Sequence, residues 1–373
     1  GDQGRLAMQI GIGISQNQDP SAAVYEALEQ SLVHGPLPDL TVVFYAGGYD
    51  PDTLWRSASG KLAGSPFIGG WVHGIFTGQE VYRLGVAVLS LYGINARTKL
   101  VSIDGQKAYD VGQTAGMALI EDETQTGTVM VFPNVRNPRL AALIRGVYSR
   151  LGPQFQYIGA GTGVQFTEEG CASDGVAAAL IRDVHFTYGI GHGWIPFGEP
   201  MLVTRTEGNR IWELDGQPAA VRFRTAVNQL EKGNSEMIGS SYQLGIPCGN
   251  GEYVIRNIMR IEDEALVCVT AIPSKSMVTL MTTSILALPA IAKRITEEAL
   301  HQHPAPKFAL LVDGVSRESL LKDSFAQESR NIFRTLEGLP AVGVLTFGQI
   351  DSSFGVPIFH NSALTVTIGG DRA

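Results

Sequence analysis

One unit of strand and helix recurs three times along this chain, and that repetition limits the fold more than any other feature. In the C-terminal copy a buried strand (308–312), a turn, an amphipathic helix and a second strand (342–350) lead through a loop to a closing strand (363–368). The first copy runs from a strand at 41–44 through Asp50-Pro51 and a helix ending at Leu62 to Phe67-Ile68-Gly69. The second runs from 129–132 through Asn137-Pro138 and a helix ending at Leu151 to Tyr157-Ile158-Gly159. Gly69 follows Phe44 by 25 positions, Gly159 follows Phe132 by 27, and Gly343 follows Val312 by 31. Gly85 and Gly175 each stand 16 positions beyond Gly69 and Gly159, and each opens a small apolar strand. Matching landmarks at matching spacing point to duplication of one supersecondary unit.

Local signals fill in what lies between. Residues 8–15 read as a strand, and Asp19-Pro20 supplies an N-cap and a first-turn proline for a helix whose buried face carries Val24, Leu28 and Leu32. Asp50-Pro51 and Asn137-Pro138 repeat the device, and Gly152 is placed to cap the helix of the second unit. Residues 101–111 and 114–120 suggest shorter elements before a polar turn at 121–127. Strands at 184–190 and 199–207 flank a glycine-rich stretch, Gly208-Asn209 turns the chain into a strand at 211–214, and 219–230 can form a helix. A hairpin from 253–261 and 265–271, a strand at 277–281 and a helix at 290–301 lead into the third unit. The Gly- and Ser-rich segment 232–242 marks a domain boundary. The expected fold is α+β: mixed, largely antiparallel sheets covered by helices, in two domains with internal duplication of a strand-helix-strand unit. Long helices between strands leave a more parallel arrangement open.

Composition narrows the function. The 373 residues carry a net charge of −8, which disfavours nucleic acid and anionic membranes, since both call for a basic surface. No apolar run approaches the roughly 18–20 residues of a membrane span. Three scattered cysteines (Cys171, Cys248, Cys268) and no apolar signal core near Gly1 suit a reducing, cytoplasmic location.

The segment 191–219, GHGWIPFGEPMLVTRTEGNRIWELDGQPA, resembles the hallmark of the FIST (F-box and intracellular signal transduction) family, sensory proteins with paired N- and C-terminal FIST domains. Further on, Tyr253-Val254-Ile255-Arg256, Asp313-Gly314-Val315-Ser316-Arg317, the 343–348 glycine segment and Phe359-His360-Asn361 fall in the family's order. The resemblance covers residues 9–370 and implies an N-type domain at 9–231, holding two units, and a C-type domain at 243–370. The chain departs from it at Asp313-Gly314, where related sequences more often carry cysteine, and at Gln349, where they often carry glutamate. The resemblance implies an intracellular sensor that binds a small molecule, amino acids among the proposed ligands, and signals in trans to a kinase, cyclase or chemotaxis protein. Some members are similar to haem-binding nitric-oxide sensors, so haem is the alternative; a hydrolase and an interaction scaffold are more distant.

The candidate ligand-binding residues are Arg256, Arg317, Asp313, Phe347, Gly348, His360 and Asn361. Arg256 interrupts an apolar strand, where a guanidinium forks onto a ligand carboxylate, serves an internal salt bridge or occupies an outward-facing strand position. Arg317 follows Ser316 at a helix start close to Asp313, and the same two readings apply. The glycine pairs Gly69/Gly74 and Gly343/Gly348 permit either tight turns or close backbone approach to a ligand. The run Gly159-Ala160-Gly161-Thr162-Gly163 is superficially a dinucleotide loop, but residues 165–174 are polar and loop-like where that motif needs a helix. His73, His192 and His360 lie in loop or strand-end segments that suit either an axial haem ligand or a hydrogen-bonded structural histidine. No metal-ligand spacing, nucleophile elbow or phosphate loop is present, and no catalytic role is expected.

Overall fold

The computed structural model describes residues 7–122, 125–233, 242–353 and 355–372. The central part of the proposed domain boundary, 234–241, lies outside them, as do residues 1–6 and two positions of the polar turn at 121–127. Within these bounds the fold is α+β, with mixed, mostly antiparallel sheets and helices on their outer faces.

The three units are structural equivalents, and each is longer than the sequence suggests. The first begins with the entry strand Gln9–Ser15 and the helix Pro20–Ser31. It continues through the strand Leu40–Ala46, the helix Pro51–Leu62, the strand Phe67–Val72, a short hairpin (Gly74–Phe76 with Val81–Tyr82) and the closing strand Gly85–Tyr92. The second repeats this from Asn95–Ser102 to Gly175–Arg182. The third starts at His185–Gly191, is interrupted by an inserted antiparallel sheet built from Ile195–Glu207 through Met277–Thr282, and resumes at the helix Leu288–His301 to end with Leu364–Gly370. In every unit the two inner strands joined by the second helix run parallel, while entry and closing strands are antiparallel. Val43, Val131 and Leu311 face Gly69, Gly159 and Gly343 in register, so the glycine landmarks are true equivalents.

The short hairpins do not stay with their own units. The hairpin of the second unit (Gln165–Thr167, Gly170–Ala172) extends the sheet of the first along Phe67–Val72. That of the third (Gln349–Asp351, Ile358–His360) extends the second along Phe155–Ala160, and that of the first extends the third along Ala341–Thr346. The exchange is cyclic. In each case a bulky donated residue, Phe166, Ile350 or Phe76, lands opposite the landmark glycine, where a side chain would collide with it or with the neighbouring strand. The inner faces of all three sheets then share one core, in which the Phe44 and Phe132 rings lie 5.3 Å apart and Val312 is the third equivalent. The stretches 9–231 and 243–370 are thus tied together through shared sheets.

Asp19 and Asp50 cap their helices as expected, accepting from Ala22 N–H and Thr53 N–H, and Gly152 closes its helix at φ 81°. Four expectations are corrected. Asn137 does not cap the helix Leu140–Leu151; the cap position is Arg139, and Asn137 accepts from the Arg139 N–H in the turn that precedes the helix. Residues 108–119 form one continuous helix after the strand Asn95–Ser102, because Gly112 and Gly116 are contact points for a neighbouring helix rather than breaks. A side chain at Gly112 would stand 2.0 Å from Leu143 O. Residues 165–172 are paired strands, not a loop, although the run from Gly159 still leads from strand to strand without opening a helix. The expected strand 342–350 is two strands belonging to different sheets.

Gln349 occupies the position that Gln165 holds in the second unit. Each donates Nε2 to a threonine carbonyl (Thr346 O, Thr162 O) and accepts from the backbone N–H that opens the closing strand (Ala363, Gly175). Both are buried. A glutamate at 349 would set a carboxylate oxygen against Thr346 O, so Gln349→Glu should lose about 1–3 kcal/mol at pH 7. Denaturant titrations of parent and variant should show that difference shrinking toward pH 5, where the carboxyl regains a proton to donate.

Candidate functional site

Where the inserted sheet meets the third unit, a cleft of about 750 Å³ opens. One wall is the short helix Val315–Leu321 and the Lys322 that follows; the other comes from the inserted sheet, including Gln243, Asn257, Ile258 and Met259, and Phe347 closes the inner end. Met259 and Ile285 are half-exposed at its apolar rim. A second cleft of about 470 Å³ adjoins it, sharing Ser319 and Lys322 and lying beside an ion pair of Arg83 with Glu318.

A buried chain of hydrogen bonds links the walls. Ser316 meets Ser362 at 2.6 Å, Ser362 Oγ donates to Asn257 Oδ1 at 2.5 Å, and Asn257 N–H donates to Asn361 Oδ1 at 3.2 Å. Asn361 Nδ2 then donates to Phe347 O at 2.9 Å. Asn361, Phe347 and Gly348 are therefore brought together at this cleft, with Phe347 on its surface. Gly348 lacks a side chain because the Phe359 ring occupies that space. Arg256 sits just outside and donates Nη1 to Phe359 O at 2.7 Å and to Ile255 O at 3.2 Å. No carboxylate pairs with it among the described residues, and burial draws its guanidinium down to about 10.

Asp313 and Arg317 stand together beneath the helix, in a group with no solvent exposure. Arg317 Nε donates to Asp313 Oδ1 at 3.0 Å, Nη2 to Glu328 Oε1, and Nη1 to His192 O. Asp313 Oδ2 and Glu328 Oε2 have no donor among the described residues. Burial first, and then neighbouring Glu328, push Asp313 well above the ordinary carboxyl range, which favours a proton on its carboxyl group. Arg317, Asp313 and Glu328 thus find their partners in one another, without a ligand.

The three candidate histidines are held by different partners. His192 accepts Trp194 N–H at Nδ1 and sets Nε2 3.1 Å from Tyr253 O; His360 sets Nε2 3.1 Å from Asp351 Oδ1. His73 packs edge-on between Trp71 and Phe347, with ring centroids at 4.6 and 4.4 Å. Its buried Nδ1 has no partner among the described residues. An axial haem ligand must offer a ring nitrogen to iron, and His73 Nδ1 is uncommitted among the described residues. Among the described residues no group of three His, Cys, Asp or Glu side chains is placed to hold a metal ion.

Burial lowers His73 and His192 to about 4. Unfolded, each takes up its proton near 6.5, so between the two values the unfolded chain holds more protons. Stability should therefore fall as pH drops from about 6.5 toward 4, as read from urea midpoints at pH 7, 6 and 5. His73→Phe, which keeps an aromatic ring between Trp71 and Phe347, should flatten that slope.

The sequence did not single out Gln243, Asn257, Ser319 or Lys322. Asn257 was visible as a polar break in the apolar run 254–258, but the cleft draws on distant segments of the chain. No described helix is long and apolar enough to cross a membrane.

Comparison with known proteins matches the FIST N domain over residues 39–217 and the FIST C domain over residues 219–351. Two uncharacterized proteins of Mycobacterium tuberculosis, from strains CDC 1551 / Oshkosh and ATCC 25618 / H37Rv, are each 27% identical over 101 residues. The aligned part is 25% of this chain and 26% of each relative, so the chain spans about a quarter of the length of the curated relatives it matches.

Proposed function

The chain belongs to the FIST family, whose domains are signal-transduction sensory domains, and from that premise we propose that it senses a small ligand held in the 750 Å³ cleft. The observation that carries this reading is the placement of the cleft, with the inserted sheet on one side, the third unit on the other, and a buried hydrogen-bond chain between them. The volume lies within the range of pockets that hold small molecules. A ligand touching both walls favours one packing of sheet against unit, and a kinase, cyclase or chemotaxis partner reads the altered surface in trans.

The test is thermal unfolding against a panel of metabolites that includes amino acids. At a hundred times its dissociation constant a ligand should add about 2.7 kcal/mol of stability. Ser319→Trp, which fills the cleft, should abolish the shift. A panel that stabilises nothing, or stabilises parent and variant alike, removes the cleft from consideration. Haem is the second reading, favoured by the unpartnered Nδ1 of His73; a Soret band lost in His73→Ala would put haem in place of a metabolite.

A further inference from the structure

We infer that the ligand of this cleft is an amphipathic carboxylate without an ammonium group, its acid end held by Asn257, Gln243 and Lys322. The inference rests on the reading of the cleft as the sensor's ligand site and narrows it to a chemical class. Several atoms of the lining side chains are already committed to partners in the fold. Asn257 Oδ1 accepts from Ser362 Oγ, and Gln243 Oε1 accepts from Ile258 N–H at 2.6 Å. Both amides are thereby fixed in orientation, and their NH2 ends have no partner among the described residues. Lys322 adds an ammonium and, among the described residues, is the one charged side chain lining the cleft.

The unspent polar chemistry on these three side chains is therefore hydrogen-bond donation. It suits an acceptor that carries negative charge. Ile258, Met259, Val269, Leu320 and Phe347 make the rest of the surface apolar and match a hydrocarbon or aromatic body. An amino acid meets half of this requirement. Its carboxylate finds donors, but its ammonium finds no carboxylate, and an unpaired charge entering such a cleft is penalised.

Calorimetric titration of the intact chain with octanoate and 3-phenylpropionate, their primary amides, octylamine, leucine and phenylalanine tests the assignment. Both carboxylates should bind at least about tenfold more tightly than the amides, the amine or the amino acids, the discrimination expected of a charge-assisted hydrogen bond. Asn257→Asp keeps the acceptor for Ser362 and replaces the donor with a carboxylate oxygen. It should weaken octanoate about tenfold or more, and because a carboxylate at this buried position also costs stability, the exposed Lys322→Met is its companion, weakening octanoate in the same direction while leaving the ligand-free unfolding midpoint near the parent's. Tighter binding of leucine or octylamine overturns the carboxylate assignment and leaves the sensor reading standing. Unchanged octanoate binding in both variants moves the ligand elsewhere and overturns it too. If no probe binds while another metabolite stabilises the chain, the assignment alone fails; if nothing binds at all, both fail.

Discussion

Arg317→Met should lower the free energy of unfolding by about 3–5 kcal/mol, the cost of leaving buried charge without its partner. Arg317 is fully enclosed and holds four acceptors: Asp313, Glu328 and the carbonyls of His192 and Leu288. Removing the cation strands Glu328 and Asp313 side by side in a medium that cannot hydrate them. Arg317→Lys should recover little, because one ammonium cannot replace the fork that meets both carboxyl groups. The telling comparison is the triple variant Arg317→Met, Asp313→Asn, Glu328→Gln. Deleting all the charges together should cost less than deleting the cation alone, since the penalty comes from imbalance rather than from losing a favourable bridge. Urea unfolding of the three proteins measures this directly, and a triple variant no more stable than Arg317→Met would contradict the account.

Gly69→Ala should be about as damaging, near 3 kcal/mol, at the upper end of overpacking penalties. A methyl group there would stand 1.7 Å from Val43 O and 2.8 Å from the Phe166 ring. The first contact is backbone, which no rotamer change can clear, and the second belongs to the hairpin donated by the next unit. Gly60 is the internal control. It lies in the helix Pro51–Leu62 with open space where its side chain would be, so Gly60→Ala should be neutral or stabilise by up to about 1 kcal/mol. Equal destabilisation at the two sites would mean that the glycine at 69 is not required by packing.

These two residues also mark how far the sequence could be read. The spacing of Gly69, Gly159 and Gly343 was legible because every copy of the unit needs a bare backbone at the same step. What fills the bare step was not legible. Phe166 reaches Gly69 from almost a hundred positions away, in a stretch whose own composition suggests a loop. The helix Ala108–Leu119 was hidden for the opposite reason, since its glycines look like breaks until the neighbouring helix is in place. At the candidate site, the family's order of residues led to Phe347, Gly348 and Asn361, which do meet. Arg317 and Asp313 looked equally suited to a ligand or to each other, and geometry joins them with Glu328, eleven positions beyond Arg317. The donors of Asn257 and Gln243 were beyond reach, because which end of an amide is free depends on what holds the other end.

The cyclic loan of hairpins carries a consequence for how the chain is made. A ribosome delivers residues in order, yet the first sheet lacks its outer strands until residues 165–172 have emerged, and the second until 349–360 have. The third sheet takes strands at 74–82 and 185–191 that must have waited for it. No sheet can be finished by its own unit, so during synthesis the early part of the molecule carries open strand edges through most of translation. Such edges invite pairing with other chains. The last hundred residues close the open edge of the middle unit and take up the hairpin of the first, and a nascent chain stalled before residue 349 should be far more prone to aggregate than the finished one.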